Sequence, residues 1–298
     1  MRTFALTLVV SVAASAQNRD FSKVEIKTVP VAGTVTMLQG AGGNIAICAG
    51  EDGVAMIDDE FAPLSPKIHA AIQKLSPKPV HFLINTHWHG DHTGGNAEFS
   101  DTAVILANLN VRKRLESGGE VKAAKMKVDP APKAALPVVT FDEGLSLWWN
   151  GEEIKTIHLP PGHTDGDSII WFKKSNVVHM GDDFVTYGFP FIDMDSGGSV
   201  TGLVKALDIA LGQIPQDAKI IPGHGNLSTV ADVRKFRSAL DEMVQTVKKG
   251  LASGKSVQQL QKDKVLQAWA SWEPKGAFVT ADAFIQTIAD DLHRTGGR

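Results

Sequence analysis

The chain has 298 residues, and its 30 basic and 33 acidic side chains give a formal net charge of -3 at pH 7. This near balance, with no basic run, argues against nucleic acid as the main partner, because surfaces that bind nucleic acid are strongly cationic. We find no linker rich in Pro or Ser and no internal repeat. Residues 17–298 are therefore predicted to form one domain with one large core.

The first sixteen residues have the pattern of a secretory signal peptide. Arg2 precedes an apolar run from Phe4 to Val12, and Ala14-Ser15-Ala16 stands before Gln17. The apolar run is too short to span a membrane, and Gln at position 17 gives no indication of a lipid anchor. We therefore expect residues 1–16 to direct export to a periplasm or beyond it, without a stable membrane anchor. An ordinary N-terminal tail is the alternative.

The segments before residue 80 predict strands followed by a helix. Residues 24–38 and 44–58 have the pattern of strands, with glycine turns near Gly40 and at residues 50–53. Apolar residues at helical spacing predict a helix over residues 64–75. The single cysteine, Cys48, lies within the second strand segment. We expect it to be a small buried core residue.

A dense group of metal-binding side chains follows the next predicted strand. The strand is the apolar run at residues 80–84, and Asn-Thr-His-Trp-His-Gly-Asp-His occupies residues 85–92. Imidazole suits zinc particularly well, and three imidazoles fall within six residues here. Ligands on a loop at the end of a strand are what a catalytic metal site requires, because the sheet holds them rigidly. We prefer this interpretation to a cluster of solvated histidines on a polar loop.

The spacing within this group suggests two metal positions. His87 and His89 are two residues apart, so an extended backbone sends both side chains to the same side, where they can hold one metal. Asp91 and His92 follow Gly90, which lets the chain bend toward a second position. Two metals about 3.5–4 Å apart would form a hydrolytic site with a bridging hydroxide as the nucleophile.

Three later segments repeat this arrangement, in which an apolar strand breaks at Pro or Gly and then presents His or Asp. They lie at residues 154–167, 176–183 and 218–225. Each segment is weak evidence alone, but together with the first group they indicate a site assembled from several strand ends. Helical patterns lie between and after them, at residues 108–117, 203–211 and 230–251. Strands and helices in mixed order predict an α/β class.

The order and spacing of these motifs resemble those of the metallo-β-lactamase superfamily of zinc hydrolases, over residues 24–252. The resemblance implies the four-layer αββα sandwich, with the site at one edge between the two sheets. It also implies two zinc ions. The ligands implied for the first zinc are His87, His89 and His163. The ligands implied for the second zinc are Asp91, His92 and His224. Asp182 stands where many members place a carboxylate that bridges the two metals.

The chemistry expected of such a site is hydrolysis at an electrophilic carbonyl. Zinc lowers the pKa of a bound water to about 7, so hydroxide is available at neutral pH. One zinc would stabilise the developing oxyanion, and the other would hold the leaving group or a substrate carboxylate. Asp91 is the expected catalytic residue, because it can orient the nucleophile or carry a proton to the leaving atom. Thr86, Thr93 and Asn96 are expected to orient the ligands, or else to form turns.

The residue at position 182 also bears on the substrate. Specialised β-lactamases of this superfamily usually carry Cys or Ser there, whereas Asp182 resembles the glyoxalase-, lactonase- and thioesterase-like hydrolases. Export favours antibiotics and extracellular esters or lactones over cytosolic thioesters. We therefore expect a hydrolase of cyclic amide or ester bonds acting on a small molecule. β-Lactamase activity, primary or promiscuous, is the leading candidate, and a lactonase or thioesterase is the alternative.

An aromatic segment follows Asp182 directly. Phe184, Tyr187 and Phe189 could form an apolar wall for the substrate beside the metals, or could simply pack the edge of the sandwich. Ser and Gly at residues 196–199 could approach a substrate carboxylate through backbone N–H groups, or could form a turn that opens the next helix.

Two other classes of protein compete with a hydrolase. Some relatives on this scaffold oxidise persulfides with a single iron, and they resemble this chain in their ligands, so iron is the alternative metal. A di-iron type needs an appended flavodoxin-like domain, which we do not find in these residues. A non-catalytic binding protein would have lost ligands, and none of the implied ligands is missing. The sequence leaves the oligomeric state open.

Overall fold

The computed structural model of the chain describes residues 20–296. The predicted leader at residues 1–16 lies outside the described residues. The described α-helices are α1 (Ser65–Leu75), α2 (Gly90–Thr93), α3 (Asn96–Phe99), α4 (Leu109–Ser117), α5 (Val200–Gln213), α6 (Val230–Ala252), α7 (Val257–Lys262) and α8 (Ala281–Gly296). None of these helices is both long enough and apolar enough to cross a membrane.

The strands fall into two large sheets and one small hairpin. The strands are β1 (Lys27–Ala32), β2 (Val35–Gln39), β3 (Ile45–Gly50), β4 (Gly53–Ile57), β5 (Val80–Ile84), β6 (Val104–Asn108), β7 (Gly119–Val121), β8 (Met126–Val128), β9 (Val139–Phe141), β10 (Gly144–Trp149), β11 (Glu152–His158), β12 (Ser168–Phe172), β13 (Val177–His179), β14 (Lys219–Ile221) and β15 (Ser228–Thr229). The first sheet has the order β1-β2-β3-β4-β5-β6-β9, the second runs from β10 to β15, and β7 pairs with β8.

Alternation along the strands gives each sheet two buried faces. In β13 and β14, Val177 and Ile221 point to the first sheet, while Val178 and Ile220 point to α5, α6 and α8. In β3, Ile47 packs in the cluster that contains α1, and Cys48 packs between the sheets. Cys48 is thus a buried core residue, as predicted. The resulting order of helices, sheet, sheet and helices is the four-layer αββα sandwich that the resemblance implies.

Helix α6 illustrates how the outer helical layer forms. Thr229 and Asp232 make a capping box, in which each side chain accepts a hydrogen bond from the backbone N–H of the other residue. Apolar side chains then recur at helical spacing and are buried against the second sheet: Val233, Phe236, Leu240, Met243, Val244 and Val247. Full burial of one such side chain stabilises the fold by about 1.5–3 kcal/mol. The packing of this apolar stripe, rather than helix propensity, holds α6 in place.

The predicted elements differ from the observed ones at both ends of the domain, among other places. The sequence predicts one strand over residues 24–38, whereas the structure has a hairpin of β1 and β2. Its turn lies at Gly33, whose φ of 53° is a left-handed conformation that glycine adopts without strain. No element is predicted from the sequence after residue 251, where the structure has α7 and α8. The predicted strand at residues 80–84 coincides with β5.

The strand directions bring the candidate ligands to one edge of the sandwich. In the second sheet, β11 and β12 are antiparallel, β12 and β13 are antiparallel, and β13 and β14 are parallel. Strands β11, β13 and β14 therefore run in the same direction, and their carboxyl ends lie at the same edge. Strand β5 of the first sheet ends beside them, because His87 and His89, which follow β5, contact His163, which follows β11.

Candidate metal centre

The loops that follow β5, β11, β13 and β14 bring all seven predicted ligands together. Three overlapping groups of side chains each place one ligand atom per residue within 4.8 Å of the others. The groups are His87, His89 and His163; His87, His92 and Asp182; and Asp91, His92 and His224. The first and third groups match the two ligand sets that the resemblance implies, and Asp182 shares the second group with a member of each set.

In the first ligand group, each imidazole has one nitrogen bound to protein and one facing its neighbours. His163 Nδ1 donates to the Phe191 carbonyl at 2.7 Å, and His89 Nε2 donates to Asp193 Oδ2 at 2.9 Å. The remaining nitrogens, His163 Nε2 and His89 Nδ1, lie 2.8 Å apart. His87 Nε2 is buried and has no hydrogen-bond partner among the described residues.

The second ligand group is arranged around His224, at the more open side of the site. His224 Nε2 lies 3.3 Å from His92 Nε2 and 3.3 Å from Asp91 Oδ2. The side chains of Asp91 and His224 are 32% and 22% exposed, whereas that of His92 is fully buried. A small molecule can therefore approach the centre past Asp91 and His224.

The donor set fits a bound metal ion. The Phe191 carbonyl can only accept, so His163 carries its proton on Nδ1 and, when neutral, presents a lone pair on Nε2. Likewise, the bond to Asp193 leaves a lone pair on His89 Nδ1. Two lone pairs that face each other at 2.8 Å repel unless they share a proton or a metal ion. The unpartnered, buried His87 Nε2 supplies a third nitrogen for such a metal ion.

The carboxylate of Asp58 orients part of this centre, and the sequence analysis missed it. Asp58 Oδ1 accepts from the Thr86 N–H at 2.8 Å, and Oδ2 accepts from Thr86 Oγ1 and from His92 Nδ1, each at 2.7 Å. Thr86 Oγ1 in turn lies 3.0 Å from His87 Nδ1. Three consecutive acidic residues, at positions 58–60 directly after β4, could have indicated this site. Asp193, the partner of His89, was missed as well.

Thr93 and Asn96 do not contact the candidate ligand atoms. Thr93 Oγ1 donates to the backbone carbonyls of Trp88 and His89. Asn96 exchanges hydrogen bonds with Asn85 and donates to the Ala135 carbonyl. These two residues therefore shape the loop after β5, which was the alternative role, whereas Thr86 contacts a ligand directly.

A family model described as the metallo-beta-lactamase superfamily matches residues 31–239, which is more than half of the chain. The chain belongs to the metallo-beta-lactamase superfamily. Hydrolytic metalloenzymes are typical of this superfamily, so the ligand groups lie in a fold that is used for metal-dependent hydrolysis.

Individual members of the superfamily share only a modest fraction of their residues with this chain. The alpha subunit of 2,4-dinitroanisole O-demethylase from Nocardioides sp. (strain JS1661) is 32% identical over 53% of this chain and 46% of that protein. Metallo-beta-lactamase type 2 from Bacteroides fragilis is 25% identical over 59% of this chain and 65% of that protein. The chain thus spans less than two thirds of the length of both. The crystal structure of DIM-1 metallo-beta-lactamase, at 17% identity, matches 74% of this chain and 99% of its own with a TM-score of 0.59, which shows the fold alone.

The aromatic segment after Asp182 differs from the predicted substrate wall. Phe184 is 2% exposed and packs against Phe236, and Phe189 is 1% exposed and packs against Phe284. The prediction that these two rings line the site is therefore corrected, because α6 and α8 bury them. The Tyr187 ring does lie beside the centre, with its centroid 5.7 Å from that of His224.

Residues 196–199 form the turn and cap that open α5. The Ser199 hydroxyl accepts from the Gly202 N–H at 2.9 Å and so caps the helix. The backbone N–H groups of residues 196–199 all donate to backbone carbonyls, so this segment forms the turn rather than a carboxylate-binding loop. His179 is also structural, because its Nε2 donates to the Asn44 carbonyl at 2.8 Å and its Nδ1 accepts from the Gly181 N–H at 3.1 Å.

The two ligand groups differ in their electrostatics. Burial holds the pKa of His87 well below its ordinary value, so this imidazole is neutral and ready to bind a cation. Burial also lowers the pKa of His92, but the Asp182 and Asp58 carboxylates outweigh it and raise that pKa well above the ordinary value. For His224, Asp182 likewise outweighs burial and raises the pKa to about 10. Without metal, the second group therefore holds protons that a metal ion must displace.

These raised pKa values predict how the stability of the metal-free protein depends on pH. The folded pKa of His224 is about 10, above the unfolded value of about 6.5. Its contribution is therefore complete below about pH 6.5 and is lost as the pH rises toward 10. We expect the melting temperature of chelator-treated protein, followed by circular dichroism, to fall between about pH 6.5 and 9, and to fall less steeply in His224→Gln. A melting temperature that rises over this interval would contradict the assignment.

Proposed function

We propose that this chain is an exported hydrolase with two zinc ions that opens cyclic amide or ester bonds, and that β-lactams are among its substrates. The observation that carries this proposal is the position of Asp182. Its Oδ1 lies 3.2 Å from His92 Nε2, and its Oδ2 lies 3.4 Å from His224 Nε2 and 3.7 Å from His163 Nε2. One carboxylate that faces both ligand groups supports two neighbouring metal positions rather than one.

Two divalent ions held by these residues would supply an activated water and polarise the scissile carbonyl. The residues of the chain determine the direction from which the substrate arrives. His87 and His163 are each 1% exposed, so the first ligand group is closed to solvent on their side. Asp91, at the open side, would orient the attacking water and carry a proton to the leaving atom. Asp91 is therefore the proposed catalytic residue.

The substrate class follows from the negative charge at position 182 and from the expected location. The Asp182 carboxylate would add negative charge to both ligand groups, which would tighten the binding of metal ions there and reduce their electrophilicity. We therefore place the efficiency on β-lactams toward the low end of about 10⁴–10⁸ M⁻¹s⁻¹ or below it. The proposed export by residues 1–16 suits extracellular lactams, lactones and esters. The similarity to a metallo-beta-lactamase supports a lactam, and the Asp at position 182 supports a lactone or thioester as the alternative.

A mono-iron redox enzyme is the second candidate. It would use the first ligand group in the same way, because imidazole also binds iron. The geometry of Asp182 favours the dinuclear hydrolase, since a single ion would leave His92, His224 and Asp91 without a metal to bind.

Metal analysis followed by a substrate panel tests the proposed function. We expect close to two zinc ions per mature chain by mass spectrometry, and loss of hydrolysis after chelation that zinc restores. The panel consists of a penicillin, a carbapenem, a γ-lactone, a thioester and a phosphodiester. We expect turnover of at least one β-lactam and little of the phosphodiester.

Each of the other outcomes changes a different part of the proposal. Cleavage of only the lactone or thioester by zinc-loaded protein would remove the lactamase assignment and leave the hydrolase. One tightly bound iron per chain, with no hydrolysis of any substrate, would overturn the dinuclear zinc hydrolase in favour of the redox candidate.

A further inference from the structure

An exposed aromatic ring lies close to the first ligand group. Phe278 is 67% exposed, and its ring centroid lies 5.4 Å from that of Phe191. The Phe191 ring in turn lies 6.0 Å from the rings of both His89 and His163. The two phenylalanines therefore form a continuous apolar surface that leads from the ligands to solvent.

The segment that carries Phe278 is fixed on both sides. Before it, the Trp272 carbonyl accepts from the Phe189 N–H at 3.2 Å, which ties the segment to the loop that holds Phe191. After it, the Glu273 carboxylate accepts from the Ala281 N–H at 2.8 Å, at the start of α8. A surface that is already held in place binds a ligand with little further loss of conformational freedom.

The location of Phe278 separates it from the other strongly exposed apolar side chains of residues 20–296. Val104, Val138 and Val139 lie at the beginnings of strands, Trp148 lies near the end of β10, and Ile209 lies on α5. The ligands, by contrast, follow the carboxyl ends of β5, β11, β13 and β14. Isolated apolar residues on a surface need no explanation, but an exposed ring at the edge of a reaction centre points to a ligand.

We propose that Phe191 and Phe278 form an apolar subsite that takes an aromatic or branched alkyl side group of the substrate. This inference rests on the proposed function, because it requires the reacting carbonyl to lie at the ligand groups. The Phe191 ring lies 6.0 Å from the His89 ring, and the Phe278 ring lies 5.4 Å from that of Phe191. A side group joined to the reacting ring through a short acyl linker would reach this surface. Phe278 lies beyond residues 31–239, the part that the family model matches, so this preference belongs to the C-terminal segment of this chain.

Two β-lactams that differ only in their side group test the subsite. Benzylpenicillin carries a phenylacetyl group on its 6-amino nitrogen, and 6-aminopenicillanic acid lacks that group. In Phe278→Ala, we expect the ratio of kcat/KM for benzylpenicillin to kcat/KM for 6-aminopenicillanic acid to fall about 3- to 10-fold, which corresponds to the loss of one aromatic contact. Trp148→Ala removes an aromatic ring that is 72% exposed elsewhere and is expected to keep the wild-type ratio. An unchanged ratio in Phe278→Ala would overturn the proposal.

Product binding separates the subsite from the catalytic function. The corresponding penicilloic acids, made by alkaline hydrolysis, can be titrated into zinc-loaded protein in a calorimeter without any turnover. We expect wild-type protein to bind the phenylacetyl product more tightly, and Phe278→Ala to reduce that preference by a similar factor. Preferential binding without hydrolysis of either penicillin would leave the subsite standing and refute the lactamase. Hydrolysis of both with no preference for the phenylacetyl group would refute the subsite and leave the lactamase.

Discussion

Asp182→Ala is expected to lose nearly all hydrolytic activity and to retain about one metal ion, where the wild-type chain is proposed to hold two. Both carboxylate oxygens of Asp182 face ligand nitrogens, at 3.2 Å from His92 and 3.4 Å from His224. Removal of a residue that merely orients a ligand lowers metal affinity about 10- to 100-fold, and removal of a ligand should cost more than that. Metal content after dialysis and steady-state kinetics on one preparation measure both effects.

The neighbouring Asp183 is unsuitable as the control position for Asp182→Ala. Asp183 is 1% exposed, and burial, together with the nearby Asp167 carboxylate, raises its pKa well above the ordinary value. Replacing it would disturb the core behind the site. Asp101→Ala, at an exposed position after α3, is the better control and should keep both zinc ions and the wild-type rate. Normal zinc content and a normal rate in Asp182→Ala would show that position 182 was misassigned.

Asp58→Ala is expected to lower both the stability of the fold and the affinity for the second metal ion. The substitution leaves three buried donors without their acceptor: the Thr86 N–H, Thr86 Oγ1 and His92 Nδ1. Each orphaned donor costs about 1–3 kcal/mol, so the chelator-treated variant should melt several degrees below wild type. Because His92 also loses its orienting partner, the affinity for the second ion should fall about 10- to 100-fold.

A matched variant distinguishes an orienting role from a general loss of stability. Asp193→Ala removes the partner of His89 Nε2 and should therefore weaken the first metal position instead of the second. Stepwise zinc titration by calorimetry resolves the two positions in each variant. Asp58→Asn, which keeps an acceptor for the Thr86 N–H, should fall between wild type and Asp58→Ala. Equal weakening of both positions in the two alanine variants would contradict the assignment.

The sequence could predict the four ligand-bearing segments because each one is local. An apolar strand, a Pro or Gly break and a His or Asp lie within about a dozen residues, and strand direction then brings the four ends together. The orienting carboxylates could not be found in this way. Asp193 is 104 residues from His89, and Asp58 is 34 residues from His92. A single acidic residue has no periodicity that would reveal a partner at such a distance.

The aromatic segment after Asp182 shows a second limit of prediction from the sequence. Its composition does not reveal which rings face the ligand groups and which face the core, because the loop has no regular alternation. The burial of Phe189 depends on α8, where Phe284, Ile285 and Ile288 pack in the same core. Those three residues follow a helical spacing that was available in the sequence, but a helix predicted there would not by itself have shown that it packs against Phe189.

The ligands belong to both sheets, and this determines the order in which the protein must assemble. Partners across the centre are far apart along the chain, by 132 residues for His92 and His224 and by 74 for His89 and His163. An unfolded chain therefore offers only residues 85–92 as an incomplete chelate. Stable capture of the proposed metal ions would follow the docking of the two sheets, and the bound ions would then act as a cross-link that slows the separation of the sheets and lengthens the lifetime of the native state.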